Sequence, residues 1–289
     1  IGDSLVESQI MDLTIQFAPY DVKIEPSTET LELNERDELT NRVCSAQCEP
    51  ACSYAWYFNS IEGEPLERSD TLSMESVTRD AHGSYHCQAT NTIHPPEEIQ
   101  FNLVVNYGPE IETFESSPSE GNIIESNRTT FTCSVDTRPG ASIYLTGPEG
   151  LSQTVDDGTE LVHSINDVGC IHSGKYTCRS RNPKTEKEVT KDYDIKVKCS
   201  PSVLRSDPDD QIRGVTEGSD TFLFVESLSY PPPSFQWKRV FENGTSINMT
   251  SDNETPNQSN LAFNNVQIPD FGFYHVSAQN EIGRWQDVQ

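Results

Sequence analysis

The sequence has no uninterrupted apolar run of about 18 residues, the length that a membrane-spanning helix needs. Only 34% of its 289 residues are apolar, too few for a membrane bundle. Basic residues are scarce, with 20 Lys and Arg against 46 Asp and Glu and a net charge of −26. Such a chain repels phosphate backbones and anionic lipid, which argues against nucleic-acid binding. It contains no G-x-S-x-G, H-E-x-x-H, Walker loop or G-x-G-x-x-G, so the chemistries that those motifs carry lack their residues. No C-x2-C pair is present, and zinc sites favour that spacing. The chain opens on Ile1-Gly2, with no initiator Met and no basic stretch before an apolar core. It reads as a mature product or an excised piece.

Two features are abundant. Eight cysteines stand at 44, 48, 52, 87, 133, 170, 178 and 199, an even number that fits a disulfide framework. Five N-x-S/T sequons begin at Asn127, Asn243, Asn248, Asn253 and Asn257, four of them within 243–259. N-linked glycans and disulfides share one compartment, the secretory pathway and the outside of the cell.

A repeat of about ninety residues runs through the chain. Cys44-Ser-Ala-Gln-Cys48-Glu-Pro50-Ala-Cys52-Ser-Tyr-Ala-Trp56 aligns without gaps with Cys133-Ser-Val-Asp-Thr137-Arg-Pro139-Gly-Ala141-Ser-Ile-Tyr-Leu145. Both align with Val225-Glu-Ser-Leu-Ser229-Tyr-Pro231-Pro-Pro233-Ser-Phe-Gln-Trp237. Further on, Gly83-Ser-Tyr85-His-Cys87, Gly174-Lys-Tyr176-Thr-Cys178 and Gly272-Phe-Tyr274-His-Val276 match in the same way. Pro19, Pro109 and Pro201 punctuate the joints. Ile99-Gln-Phe101-Asn-Leu103-Val-Val105 and Tyr193-Asp-Ile195-Lys-Val197 alternate as half-buried strands do. No long helical period appears, and turn residues punctuate the chain at short intervals.

Cys, then Trp twelve residues on, then G-x-Y-x-C resembles the immunoglobulin superfamily, of the I-set or C2-set kind found in cell-adhesion molecules and hemicentin-like proteins. The resemblance covers residues 19–289. It implies an all-β fold: three tandem two-sheet antiparallel sandwiches in an extended array. The expected domains are 19–108, 109–200 and 201–289. Residues 10–17 alternate as well, so 1–18 reads as the last strand of a preceding domain. The resemblance also implies that Cys44 pairs with Cys87 and Cys133 with Cys178, that a Trp packs on each pair, and that Tyr85, Tyr176 and Tyr274 form tyrosine corners.

The copies depart from this pattern in three ways. Cys48 and Cys52 flank Pro50 and are expected to pair with each other; Ser229 and Pro233 hold these places in the third copy. The second copy has Leu145 in place of Trp, with Ile143 or Tyr144 to repack. Its remaining Cys170 and Cys199 fall at one end of the sandwich, and a disulfide between them is expected to restrain the joint with the third domain. The third copy has Val225 and Val276 at both cysteine positions, an apolar plug against Trp237 with no cross-link. Asp270 keeps the family's Asp, but Ala81 and His172 replace it, which removes the usual Asp-to-Arg clasp there.

Little chemistry remains. His82 and His86 share no helical face, so no metal site is assigned, and no cofactor is expected. Every cysteine has a disulfide partner in this scheme, which leaves no catalytic thiol; the chain is not expected to be an enzyme. Asp207, Asp209 and Asp210 form a cluster that could take calcium but reads as a solvated acidic loop. Residues 19–108 carry 5 basic and 16 acidic residues, whereas 109–200 carry 10 and 15. Arg179, Arg181, Lys184 and Lys187 are the basic cluster of an acidic molecule. They are the expected partner-binding residues, for an acidic protein, a glycan or the first domain of another copy (homophilic binding). The function expected by analogy is that of an extracellular adhesion or immune-type recognition receptor, at the cell surface or secreted, with any membrane anchor outside these residues. The alternative is a structural component of a secreted matrix or filament.

Overall fold

The computed structural model describes residues 13–204, 214–251 and 253–286. The chain divides into two compact units. The first holds the residues up to Gly108 together with Thr137–Pro139 and Asn182–Lys187; the second holds Pro109–Asp136, Gly140–Arg181 and the residues from Glu188 on.

In the first unit the strands are β1 (Phe17–Glu25), β2 (Thr30–Asn34), β3 (Leu39–Glu49), β4 (Ser53–Phe58), β5 (Thr71–Met74), β6 (Gly83–Thr90) and the first half of β7 (Glu97–Ser117). One sheet runs β1-β3-β5; the other runs β4-β6-β7, with β2 parallel to β7 on its far side. Alternation aims Tyr85, Cys87 and Ala89 of β6 and Phe101, Leu103 and Val105 of β7 inward. These side chains close on Trp56, Leu39, Leu72 and Val77, all buried. Trp56 meets Phe101 edge-on at 6.2 Å, and Tyr85 stacks on Phe101 at 5.4 Å. Such pairs stabilise a core beyond the area they bury.

The second unit contains two sandwiches. In the earlier one, β11 (Glu160–Ile165), β8 (Thr129–Arg138) and the rest of β7 face β10 (Ser152–Gly158), β9 (Ala141–Thr146), β12 (Gly174–Arg181) and β13 (Glu188–Ile195). Phe131 stacks on Tyr176 at 4.1 Å, among buried Ile123, Ile143, Leu145, Leu161, Ile195 and Val197. In the later one, a sheet of β14 (Cys199–Val203), β15 (Thr221–Tyr230), β19 (Gln258–Phe263) and β18 (Asn253–Thr255) faces β17 (Ser246–Met249), β16 (Ser234–Val240), β20 (Phe273–Gln279) and β21 (Arg284–Gln286). Its buried core is small, made of Val225, Trp237 and Leu261.

The sheets are antiparallel apart from the β2–β7 pair and a bridge between Ile124 and Lys198. The described helical pieces are 3-10 turns of three residues. Among the described residues, a single edge strand, β10 or β17, lies beyond β9 and β16, and not two. The joint prolines sit inside strands: Pro19 in β1, Pro109 in β7 and Pro201 in β14. β1 and β14 are edge strands, and each shifts register across its proline, because proline has no N–H for the ladder. Of the strand read over residues 10–17, residues 10–12 lie outside the described residues. Residues 13–16 have no strand pairing, Leu13 and Ile15 are exposed, and Phe17 opens β1 against Glu49. That alternation is therefore not a strand over 13–16, and Phe17–Ala18 belong to the first sandwich.

Candidate functional site

Four disulfides join all eight cysteines. Cys44–Cys87 and Cys133–Cys178 cross from sheet to sheet, each with Cα atoms 6.5 Å apart. Cys48–Cys52 closes the elbow between β3 and β4, and Cys170–Cys199 ties the turn before β12 to the first residue of β14. Trp56 lies opposite Cys87, Leu145 opposite Cys178 and Trp237 opposite Val276, so one register position recurs three times. Around Leu145 it is Ile143 that fills the core, whereas Tyr144 points outward beneath Arg179, 4.5 Å from its ring. Trp237 donates its Nε1–H to Ser259 Oγ at 3.0 Å, whereas the same group of Trp56 is buried with no hydrogen-bond partner.

Each corner tyrosine donates its hydroxyl to a carbonyl four residues back: Tyr85 to Ala81, Tyr176 to His172 and Tyr274 to Asp270, at 2.7 to 3.0 Å. Burial pushes the phenols of Tyr85 and Tyr176 up to about 12 and raises Tyr274 as well. Asp270 does not clasp an arginine. Its carboxylate accepts from the Gln267 N–H, while Arg239 donates to the carbonyls of Pro269 and Phe271.

A second recurring device was not read from the sequence. Asn91, Asn182 and Asn280 each stand four residues after the strand position held by Cys87, Cys178 and Val276. The Asn91 amide donates to the carbonyls of Phe17 and Pro50, at 2.9 and 3.0 Å. Asn182 donates to Tyr107, Thr137 and Pro139, at 2.8 to 3.1 Å. Asn280 donates to Cys199 and Pro231, both at 2.8 Å. Their own oxygens accept backbone N–H groups of the following loop. One side chain thus fastens the joint residue, the proline elbow and the loop. Its signal is a polar residue in register, legible once the three copies are stacked.

The basic cluster is divided between the two units, Arg179 and Arg181 in one and Lys184 and Lys187 in the other. Lys184 donates to Glu32 at 2.8 Å, and its hydrogen bond and charge hold that carboxyl below the usual range. Arg179 and Arg181 are exposed on the outer face of the β10-β9-β12-β13 sheet. There Thr154, Tyr144, Arg179 and Thr190 form one row across four strands. Ser142, Arg181 and Glu188 form the next, and Arg179 also lies 3.7 Å from Glu188.

Asn127, Asn243 and Asn248 are exposed. Asn248 lies on the edge strand β17 and Asn253 on the edge strand β18. Asn257 is half-buried and accepts a hydrogen bond from Ser229 Oγ at 3.1 Å. His86 Nε2 sits 3.1 Å from Ser84 Oγ. Asp207, Asp209 and Asp210 lie outside the described residues. Among the described residues, no group of three His, Cys, Asp or Glu is placed to hold a metal, and no helix is long and apolar enough to cross a membrane.

An immunoglobulin I-set domain model matches residues 208–288. The limbic system-associated membrane protein of Rattus norvegicus is 27% identical over 213 residues, covering 74% of this chain and 60% of that protein. Hemicentin-1 of Homo sapiens is 26% identical over 290 residues, covering 94% of this chain and 5% of that protein. These matches agree with three copies of one sandwich, the first two stapled from sheet to sheet.

The chain has the fold of tandem immunoglobulin domains.

A solved complex of Dpr2 Ig1-Ig2 with DIP-Theta Ig1-Ig3 has the same fold. It matches with a TM-score of 0.61 at 18% identity, over 92% of this chain and 97% of that one. The chain spans about 60% of the length of the rat relative. In immunoglobulin terms β3, β8 and β15 are the B strands, and β6, β12 and β20 are the F strands. The second immunoglobulin domain departs from its neighbours at Leu145, and the third departs at Val225 and Val276.

Proposed function

We propose that the chain is the extracellular recognition part of a cell-surface or secreted immunoglobulin protein, and that it binds a protein partner through the outer face of β10-β9-β12-β13. The observation that carries this reading is the row Thr154-Tyr144-Arg179-Thr190 with Arg181 beside it. A guanidinium over an aromatic ring on a flat face of small hydroxyl side chains has the composition of an interface centre, where Tyr and Arg concentrate binding energy. No sequon falls on these strands. The rat relative is named as a membrane protein, and the Dpr2 structure is a complex of immunoglobulin domains; both favour recognition at a cell surface. Lys184, already paired with Glu32, is not part of this surface.

The test is an avidity-enhanced screen of the chain against a panel of extracellular domains, repeated with Tyr144→Ala/Arg181→Glu. The reading expects one saturable partner whose binding falls at least tenfold in the variant, about 1.4 kcal/mol. Undiminished binding by the variant would sink it.

A rod component of a matrix is the second reading. The Cys170–Cys199 link favours it, because that disulfide joins the end of one sandwich to the opening strand of the next. A chain that assembles into filaments without any panel partner would support this second reading against the first.

A further inference from the structure

β11 ends its sheet, so one side of this strand meets no other described strand. Its six residues, Glu160-Leu-Val-His-Ser-Ile165, run in unbroken register along β8. Thr159 accepts the Val135 N–H, and hydrogen-bonded and non-bonded pairs alternate from there, as antiparallel pairing requires. Leu161, His163 and Ile165 therefore exchange hydrogen bonds with β8, whereas Glu160, Val162 and Ser164 direct their N–H and C=O groups to the open edge. Such an edge is a template for another strand, and proteins ordinarily guard it. β1 and β14 carry Pro19 and Pro201 with register shifts, and β10 carries Asp156 and Asp157 beside one. β17 and β18 are short and hold the sequons of Asn248 and Asn253. β19, the third repeat's counterpart of β11, is covered by β18, and β5, the first repeat's, has 4 residues. β11 has no proline, lysine, register shift or sequon, and Val162 is 56% exposed.

The strand also specifies its occupant. Its outward side chains are Glu160, Val162 and Ser164, and Arg128 donates to Ser164 Oγ at 3.0 Å. Among the described residues Glu160 meets the Ser134 hydroxyl at 3.4 Å, and neither Glu160 nor Arg128 has an ion pair. An antiparallel copy of β11 centred on Val162 sets Glu160 of each copy against Ser164 and Arg128 of the other. That register satisfies the edge-facing backbone groups of all three residues. It also places opposite charges at both ends, which stabilises a strand pair and fixes its register. The contact is self-complementary, so it closes at two copies. The second repeat, with 10 basic and 15 acidic residues, is where two such acidic chains repel least. We propose that β11 pairs with β11 of a second copy of this chain, antiparallel about a two-fold axis at Val162, so that two β11-β8-β7 sheets continue as one. The edge belongs to the sheet opposite the β10-β9-β12-β13 face, so the pairing stands apart from any partner held by that face.

Sedimentation velocity on the glycosylated chain at physiological salt tests this. The parent is expected to pass from monomer to dimer as its concentration rises, and the amides of Glu160, Val162 and Ser164 should gain protection from hydrogen exchange with it. Glu160→Arg and Arg128→Glu each set like charges at both ends of the paired strands. Each should weaken association roughly tenfold, since the contact is made twice. Glu160→Arg/Arg128→Glu restores the opposite-sign pairs and should recover most of the loss. Val162→Pro removes an edge-facing N–H that β8 does not use; it should abolish the dimer while melting like the parent. A parent that stays monomeric overturns the proposal, as does a dimer indifferent to the single reversals or one that the double variant fails to recover. A dimer that forms only after enzymatic removal of N-linked glycans overturns it too, because the sequon at Asn127 adjoins Arg128.

Discussion

Tyr85 and Tyr176 each spend a buried phenol on a single carbonyl, and both are held protonated well past their ordinary range. An acid whose pKa is raised on folding keeps its stabilising contribution below the unfolded value and loses it as pH climbs through the folded one. The window runs from about 10, the ordinary tyrosine value, to about 12. Denaturant melts at stepped pH are expected to show the first two sandwiches weakening across that window. Tyr85→Phe/Tyr176→Phe should flatten the dependence while lowering stability near neutrality by about 1 kcal/mol per lost hydrogen bond. A slope that survives in the double variant would refute the assignment. Asn280 gives a sharper case, because its amide serves two carbonyls and its oxygen two N–H groups. Asn280→Ala leaves those groups without their partner, and calorimetry is expected to record a loss of roughly 2–3 kcal/mol confined to the third sandwich. Asn280→Asp, which keeps the acceptor and loses the donor, should fall between parent and alanine.

The strands were legible where apolar letters alternate, as in Phe101-Asn-Leu103-Val-Val105, and the sandwich type where Cys, Trp and Tyr recur at fixed spacing. The same letters singled out the eight cysteines. The asparagine clamp escaped because a lone polar residue in a loop reads as a turn former until its partners, 41 to 81 residues away, are known. Lys184 read only as a member of the basic cluster for a related reason: its carboxylate stands 152 residues earlier, in β2. Residues 13–16 alternate without pairing, because period alone does not supply a neighbouring strand. The joint prolines read as breaks, yet the edge strands β1 and β14 absorb Pro19 and Pro201 through register shifts. Leu145 shows what local packing adds to pattern. It fills the tryptophan position because the Phe131–Tyr176 stack and Ile143 already occupy the space. Restoring the family residue by Leu145→Trp should therefore overpack the core, lowering the midpoint of chemical unfolding by an amount equivalent to about 1–3 kcal/mol. A gain in stability would show that the second core has spare volume.

Three sandwiches built on one plan differ in what closes them, and this orders their unfolding. The first two pair a cross-sheet disulfide with large apolar clusters, 11 and 13 buried residues respectively. Cross-links over separations of 43 and 45 residues each restrict the unfolded chain by about 4 kcal/mol in the entropy model. The third has Val225, Trp237 and Leu261 buried and no cross-sheet link; Val276 is only part-buried. Its disulfide to the second repeat holds the opening strand β14 and leaves the two sheets free to separate. Hydrogen exchange followed through a thermal ramp should thus release peptides from β15, β16 and β20 at the lowest temperature, with β8 and β12 or β3 and β6 released later. Reductant should pull the two later transitions down several degrees while moving the first much less, since its core contains no sulfur to break. If β8 and β12 opened before β15, or if reductant shifted the first transition as far as the others, apolar packing around Val225 and Trp237 would be stronger than three buried side chains allow. The small apolar core would then no longer explain the molecule's weakest part.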